Sequence, residues 1–349
     1  MNAVLRVAVL ISTYNGEKYI EDQIKSILSQ KIDSAKIDLH LYIRDDGSED
    51  NTRKILTKLA KEFVAQITFF QDDAKNLGVK QSFFSLIRNR MVLGDYFFLA
   101  DQDDLWSPYK VNMTLSVFSK NRSKGPLGIY SDLWIADALG RNTNIRMSDQ
   151  LPLNKNIKAD YKFLSNHTRI TGAAFAFNAD ARNLFRMVNP KLISLINMHD
   201  SFMALLLAAC GTLVKLDEPL VLYRQHGDNL IGARTEKKSI SQKILNFKRL
   251  QGQYIIDNVV LYLFLMQNNL RLSKSDTEVI GLYVKYFLGA SHLKKRFKNG
   301  TSLVVHTSPR RPWVTFLTIV SFDVCGIIDQ QNFIRRQLSN ISTDNQFLT

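Results

Sequence analysis

Three carboxylates stand together where an apolar run stops: Phe97-Phe98-Leu99-Ala100 leads straight into Asp101-Gln102-Asp103-Asp104, followed by Leu105-Trp106. Hard divalent cations such as Mg²⁺ and Mn²⁺ take oxygen ligands, commonly one or two carboxylates plus phosphate oxygens. Acids alternating at the end of a buried strand supply such a site, and the ion would neutralise a leaving diphosphate. The competing structural reading is an acidic turn before a helix that opens at Pro108, with Asp104 or Ser107 as N-cap. A second acidic pair opens Asp45-Asp46-Gly47-Ser48, with Asp50 and Thr52 following. Gly47 suits a tight bend and Asp50 a helix cap, which leaves Asp45 and Asp46 to explain. Adjacent carboxylates repel, so the pair needs a basic, metallic or hydrogen-bond-donating partner, and Asp45 facing a nucleobase or ribose meets that need. Further on, Arg224 and His226 in Tyr223-Arg224-Gln225-His226-Gly227-Asp228-Asn229 form a basic pair beside a glycine turn. Arginine's planar fork and a histidine N–H both suit diphosphate oxygens.

These groups must be positioned by regular elements. Short apolar runs at 7–11, 39–43, 67–70 and 96–100 alternate with helical periods at 19–28, 52–63 and 83–90. Strand, helix, strand, repeated, predicts a parallel sheet, and ligands of such sheets bind in the loops beyond the carboxyl ends of the strands. Ser12-Thr13-Tyr14-Asn15-Gly16, the Asp45 segment and the Asp101 segment all fall there, after the first, second and fourth strands. From 108 to 225 the pattern is mixed, with a helix near 111–118, apolar runs at 128–131 and 173–177, and a helix around 201–209. Beyond Gly232 it is helical, at 255–266, 279–288 and 313–328, with the basic stretch Lys294-Lys295-Arg296-Phe297-Lys298 between.

Composition narrows the partners. The 349 residues carry 46 Lys plus Arg against 32 Asp plus Glu, a net charge of +14. After Glu236 there are 16 basic and 6 acidic side chains, so +10 of that charge sits in the last third. This asymmetry points to an anionic partner, against the plainer reading of a solvated helical surface. Only Cys210 and Cys325 occur, which argues against a disulfide framework or a cysteine-rich zinc site and for a reducing compartment. The amino-terminal Met-Asn-Ala-Val-Leu-Arg-Val-Ala-Val-Leu reads as a first strand and not as a leader. None of the apolar runs reaches the roughly 20 residues of a membrane span.

Thr13-Tyr14-Asn15-Gly16, Asp45-Asp46-Gly47-Ser48 and Asp101-Gln102-Asp103-Asp104, in this order and spacing, resemble the inverting GT-A-fold glycosyltransferases of the large bacterial family that builds polysaccharides. The resemblance covers residues 4 to about 230. It implies an α/β fold of the GT-A, Rossmann-like kind, with a nucleotide-binding half (1–107), an acceptor-binding half (108–230) and a basic helical extension (231–349). It further implies that Thr13, Tyr14, Asn15, Asp45 and Asp46 meet the nucleotide-sugar, joined by Asp101, Arg224 and His226. Asp101, Asp103 and His226 would hold Mn²⁺ or Mg²⁺. Thr171-Gly172-Ala173 matches the family's acceptor loop, with Trp106 as a second acceptor contact. Asp200 takes the place of the general base, a role that competes with plain capping of the helix at 201–209. The family often has Glu before this Asp, so His199 is a departure. The Asp-Gln-Asp-Asp-Leu-Trp run and the segment from Tyr223 are similar to the rhamnosyltransferase-like subgroup, which implies a dTDP-L-rhamnose donor, with a UDP-hexose as the alternative. The family's acceptors imply an oligosaccharide, lipid-linked, at the cytoplasmic face of the membrane, where the basic tail would meet anionic lipid. Two other classes compete: a nucleic-acid binder, which lacks base-reading motifs and aromatic platforms here, and a sugar-nucleotide binder without turnover.

Overall fold

The computed structural model describes residues 4–71, 76–121, 125–150, 158–168, 170–226 and 240–289, with 298, 299, 301–303, 334, 336 and 337 beyond them; side chains of 240–248 are not among those described. The helix anticipated at 313–328, the basic residues Lys294, Lys295 and Arg296, and the Gly227-Asp228-Asn229 segment lie outside the described residues.

The first hundred residues alternate as the sequence predicts: β1 (Leu5–Thr13), α1 (Ile20–Leu28), β2 (Ile37–Asp45), α2 (Thr52–Glu62), β3 (Ile67–Phe70), α3 (Val79–Arg88) and β4 (Tyr96–Ala100). There follow β5 (Leu105–Trp106), α4 (Lys110–Lys120), β6 (Leu127–Ser131), β7 (Trp134–Ala136), β8 (Asn142–Arg146), α5 (Tyr161–Leu164), β9 (Phe175–Asn178), α6 (Ala179–Arg186), α7 (Pro190–Ile193), α8 (His199–Cys210), β10 (Thr212–Leu216), β11 (Val221–Arg224), α9 (Ile240–Gln267) and α10 (Lys274–Gly289). Seven strands form one sheet in the order β10-β6-β9-β4-β1-β2-β3, and β5-β11-β7-β8 form a smaller one that the sequence pattern did not reveal. β1 pairs in parallel with both β2 and β4, and β2 with β3. β9 runs antiparallel between β4 and β6, so the parallel expectation holds for the first half and is interrupted there.

Strand periodicity explains the layers. Val7, Val9 and Ile11 of β1 and Phe98 of β4 pack on one face with α1, α2 and α4. Ala8 and Leu10, with Phe97 and Leu99, turn to the other face and meet α3, α6 and α8. Residues that alternate in direction along a strand covered on both sides must all be apolar, which is why these strands read as continuous hydrophobic runs. The described part of the helical extension is not a separate body in its packing: Ile255, Val259, Leu263, Tyr283 and Val284 join the same core as α8. Polar clamps fix the join. Tyr161 Oη donates to Asn258 Oδ1 at 2.8 Å, Asn258 Nδ2 to the Ser165 carbonyl at 2.9 Å, and Tyr283 Oη to that same carbonyl at 2.9 Å.

One buried group on α9 gives the fold a pH signature. Asp257 accepts from the Asn197 N–H at 2.8 Å and from Gln253 Nε2 at 3.3 Å. Burial lifts its pKa to about 7, against the pull of these donors and of Lys80. A carboxyl with a raised pKa favours the folded state below its unfolded value near 3.8 and loses that advantage as pH climbs through about 7. Asp257→Asn keeps the shape and the accepting oxygen, so its melting temperature relative to wild type should rise from pH 5 to pH 8. Calorimetric melts at the two pH values check this, and a pH-independent difference would refute it.

Candidate active site

The loops after β1, β2 and β4 meet at one sheet edge and are laced together. Gln102 Oε1 accepts from Thr13 Oγ1 at 2.7 Å and from the Tyr14 N–H at 2.8 Å, while Gln102 Nε2 donates to the Tyr14 carbonyl at 3.1 Å. Gly16 lies so near that a Cβ there would come within 2.5 Å of Gln102 Oε1. Asn15 adopts the left-handed φ of 48° and accepts from the Glu49 N–H at 2.9 Å, while Ser48 Oγ accepts from the Asn15 N–H at 2.8 Å. Tyr14 is left exposed at the mouth. Thr13 is buried, so its hydroxyl serves Gln102 and not a ligand.

The acidic pair after β2 divides its work. Asp45 accepts from the Gly47 and Ser48 N–H groups at 3.2 and 3.0 Å and from Ser48 Oγ at 2.5 Å, and Gly47 bends with a φ of 93°, as expected of that turn. Asp46 departs from the nucleotide-contact expectation. It is buried, lies 2.6 Å from Arg44 Nη1, and accepts from the Leu77 and Gly78 N–H groups, both at 2.8 Å. This is the basic, donor-rich partner that adjacent carboxylates require. Its effect is to seat the start of α3 under β2.

After β4 the carboxylates gather. Asp103 Oδ2 lies 2.8 Å from His226 Nε2, joining residues 123 apart in sequence. Asp104 turns inward: Oδ1 accepts from the Arg224 N–H at 3.1 Å and Oδ2 has no partner. The helix cap proposed for Asp104 or Ser107 is thus not what the structure shows, since α4 opens at Lys110 behind Tyr109, with no side-chain cap. Burial lifts Asp101 to about 7, reinforced by the charges of Asp103 and Asp200 and relieved by Lys110. Burial, with the charges of Asp101 and Asp103, holds Asp104 well above its ordinary value. Lys110 is the counter-charge from below. Its ammonium donates to the Ala173 carbonyl and sits 3.8 Å over the Trp106 ring, and burial brings its pKa down to about 7.

Two expected ligand contacts are corrected by this packing. Trp106 is buried, wedged between Phe98 and Lys110, and forms part of the floor under the acid cluster. Arg224 is buried as well. Its guanidinium stacks 4.7 Å from the Tyr19 ring, 3.6 Å from Asp22 Oδ2, and donates to the Ala138 carbonyl at 3.4 Å, so it braces the rim where a diphosphate grip was anticipated. Tyr19 also packs 4.5 Å from the His226 ring.

Asp200 lies in the first turn of α8, whose N-cap is Met198, so it is not the cap that the competing reading required. Its Oδ2 accepts from the Gly172 N–H at 2.8 Å and its Oδ1 from the Ser201 N–H at 2.6 Å. That bond brings the Thr171-Gly172-Ala173 loop, which precedes the reversed strand β9, against the base candidate. Sequence reasoning did not single out Gln102, Tyr19 or Lys110. The readable signal was for Lys110, a lone cation in register with the buried Thr114 and Phe118 on one helix face.

The donor set suits a hard divalent cation: two carboxylates and an imidazole border the cleft, the charges of Asp103 and Asp200 help to raise the pKa of Asp101, and Asp104 leaves an orphaned buried oxygen. Among the described residues no three His, Cys, Asp or Glu side chains already form a metal cage. Phosphate oxygens of a ligand would have to complete the coordination.

A nucleotide-type sheet edge with an acidic strand end, an adjoining reversed strand and a carboxylate at a helix start defines a glycosyltransferase of the GT-A architecture. The chain belongs to glycosyl transferase family 2, whose family model matches residues 8–184. Among curated proteins it is similar to the dTDP-rhamnosyl transferase RfbG of Shigella flexneri, with 28% identity over 231 residues, 66% of this chain and 76% of that one. Among solved structures it resembles S. aureus TarS 1-349, with TM-score 0.50 and 14% identity over 97% of this chain and 89% of that one. The mannosyltransferase PcManGT from Pyrobaculum calidifontis, crystallised with GDP-Man and Mn²⁺, aligns with TM-score 0.51 and 12% identity over 94% and 89% of the two chains. At these identities the structures speak for the fold alone.

Proposed function

We propose that this protein transfers L-rhamnose from dTDP-β-L-rhamnose to a hydroxyl of a lipid-linked oligosaccharide, in one displacement that inverts the anomeric centre. One juxtaposition carries this reading: Asp200, bonded to the acceptor-loop Gly172, lies near enough to Asp101 to raise its pKa, while Asp101 adjoins the Asp103–His226 pair. A base and a diphosphate-gripping cluster thus border one cleft. The similarity to a dTDP-rhamnosyl transferase supports the donor, and the Mn²⁺ in the archaeal neighbour supports a cation.

In this reading Tyr14 covers the base of the nucleotide and Asp45 meets base or ribose at the rim of β2. Asp103 and His226, with Asp101 beside them, are the residues that would hold Mn²⁺ or Mg²⁺, which when bound neutralises charge growing on the leaving diphosphate. Asp200 takes the proton of the acceptor hydroxyl as its oxygen attacks the anomeric carbon. Lys110 steadies the acid cluster from beneath, and the backbone N–H of Arg224 holds Asp104. No described helix is long and apolar enough to cross a membrane. A peripheral attachment at the cytoplasmic face follows from the basic tail, since each Lys or Arg near an anionic bilayer adds about 1 kcal/mol.

The test is a turnover assay with dTDP-β-L-rhamnose and a panel of UDP-hexoses in the presence of Mn²⁺, with the product anomer read by NMR. An α-L-rhamnoside and released dTDP are expected. Selective use of a UDP-hexose would replace the donor assignment, and a retained anomeric configuration would rule out single displacement.

A further inference from the structure

His199 stands at the first position of α8, directly before Asp200. Its side chain is 2% exposed, and neither Nδ1 nor Nε2 has a hydrogen-bond partner. The ring stacks on Phe83 with centroids 4.2 Å apart and planes 16° from parallel, a contact that an apolar ring would make equally well. A neutral imidazole carries one donor and one acceptor, and buried polar groups are nearly always paired. Two unmet nitrogens on one buried ring therefore ask for a partner that arrives with the substrate. Burial lowers the ring's pKa, with the Asp200 charge opposing, which keeps it neutral and able to donate from one nitrogen while accepting at the other.

The place where that partner would sit is marked by Gly172. A Cβ built there would come 3.3 Å from His199 Nε2 and 3.6 Å from Asp200 Oδ2. The glycine leaves no side chain between the loop's backbone and this imidazole nitrogen and carboxylate oxygen, so the two groups face the acceptor loop side by side. One group alone would suit a single hydroxyl, but a base beside a neutral donor suits two.

We propose that His199 recognises the acceptor as a vicinal diol: while Asp200 removes the proton from the attacking hydroxyl, His199 Nε2 hydrogen-bonds the hydroxyl on the adjacent carbon. This rests on the transferase reading above and adds to it the class of acceptor. The hydroxyl bound by His199 keeps its proton and its C–O bond, so the only bonds that change are those of the displacement itself.

The experiment uses the full chain with Mn²⁺, dTDP-β-L-rhamnose and p-nitrophenyl glycosides, each paired with the deoxy analogue that lacks the hydroxyl beside the glycosylated one. His199→Phe retains the stack on Phe83 and removes both nitrogens. It should bind dTDP as wild type does by calorimetry, melt no lower, and lose 10- to 100-fold in kcat/KM for the parent glycoside. With the deoxy analogue the two proteins should be equally slow, and His199→Gln should recover part of the loss. Wild-type kcat/KM for His199→Phe on the parent glycoside would overturn the proposal. So would a deoxy penalty as large in His199→Phe as in wild type. Asp200→Asn run in parallel separates the two levels: full transfer by that variant would sink the site assignment itself, whereas its failure beside an unimpaired His199→Phe sinks only the diol.

Discussion

Asp200→Asn should lower sugar transfer by about 10³-fold, in the middle of the range for loss of a general base, while leaving dTDP affinity unchanged. Asparagine keeps one oxygen, enough to accept from the Gly172 N–H, now at 2.8 Å, so the acceptor loop stays docked. The basicity goes, and with it the bond from the Ser201 N–H, which the other carboxylate oxygen accepts at 2.6 Å. Initial rates of dTDP release with acceptor present, set beside calorimetric dTDP binding, separate the two quantities. If affinity and turnover fell together, Asp200 would be holding the loop's shape and not taking a proton.

Asp103→Ala should weaken Mn²⁺-dependent dTDP binding by 10- to 100-fold or more, the loss usual when support of a metal site is removed. The carboxylate is partly exposed and faces His226 at 2.8 Å, so its removal takes away that contact and leaves the cleft with one fewer oxygen ligand. Titration with dTDP at fixed Mn²⁺, and again in chelator, measures the effect; equal affinity of variant and wild type in Mn²⁺ would remove Asp103 from the site. Acidity enters with a definite sign. Asp101, lifted to about 7, carries a proton below that pH, and a cation must displace it, so wild-type Mn²⁺ binding should tighten from pH 6 to pH 8.

The strands and helices around this cleft were legible because each is strictly patterned: β1 and β4 are largely apolar on both faces, β2 on one, and all three end abruptly in polar residues. The Asp101–Asp103 cluster could be read for the same reason, since it adjoins such a strand, whereas the Gly172 loop was legible only through the family resemblance. Side-chain direction could not be read. Nothing in Asp45-Asp46 says which acid turns in, because that depends on Arg44, on the same strand, and on the N–H groups of Leu77 and Gly78, more than thirty positions away. Trp106 and Arg224 look like binding residues in a list of types, yet packing against Lys110 and Tyr19 makes them masonry. The pairing of Asp103 with His226 spans 123 positions and follows from the small sheet, whose two- to five-residue strands leave almost no periodic trace.

β9 runs against its neighbours, and in the proposed reading that reversal decides how the two substrates are encoded. The residues proposed for the donor follow strands, whereas the loop proposed for the acceptor precedes one, so the two specificities would occupy different stretches of the gene and could drift apart. A graft meant to change the acceptor alone would exchange the stretch leading into β9, from 158 to 174. It would have to bring its companions along, because Tyr161 and Ser165 are locked to Asn258 and Tyr283 on the far helices. Swapped without them, the new loop would arrive on a scaffold cut for a different key.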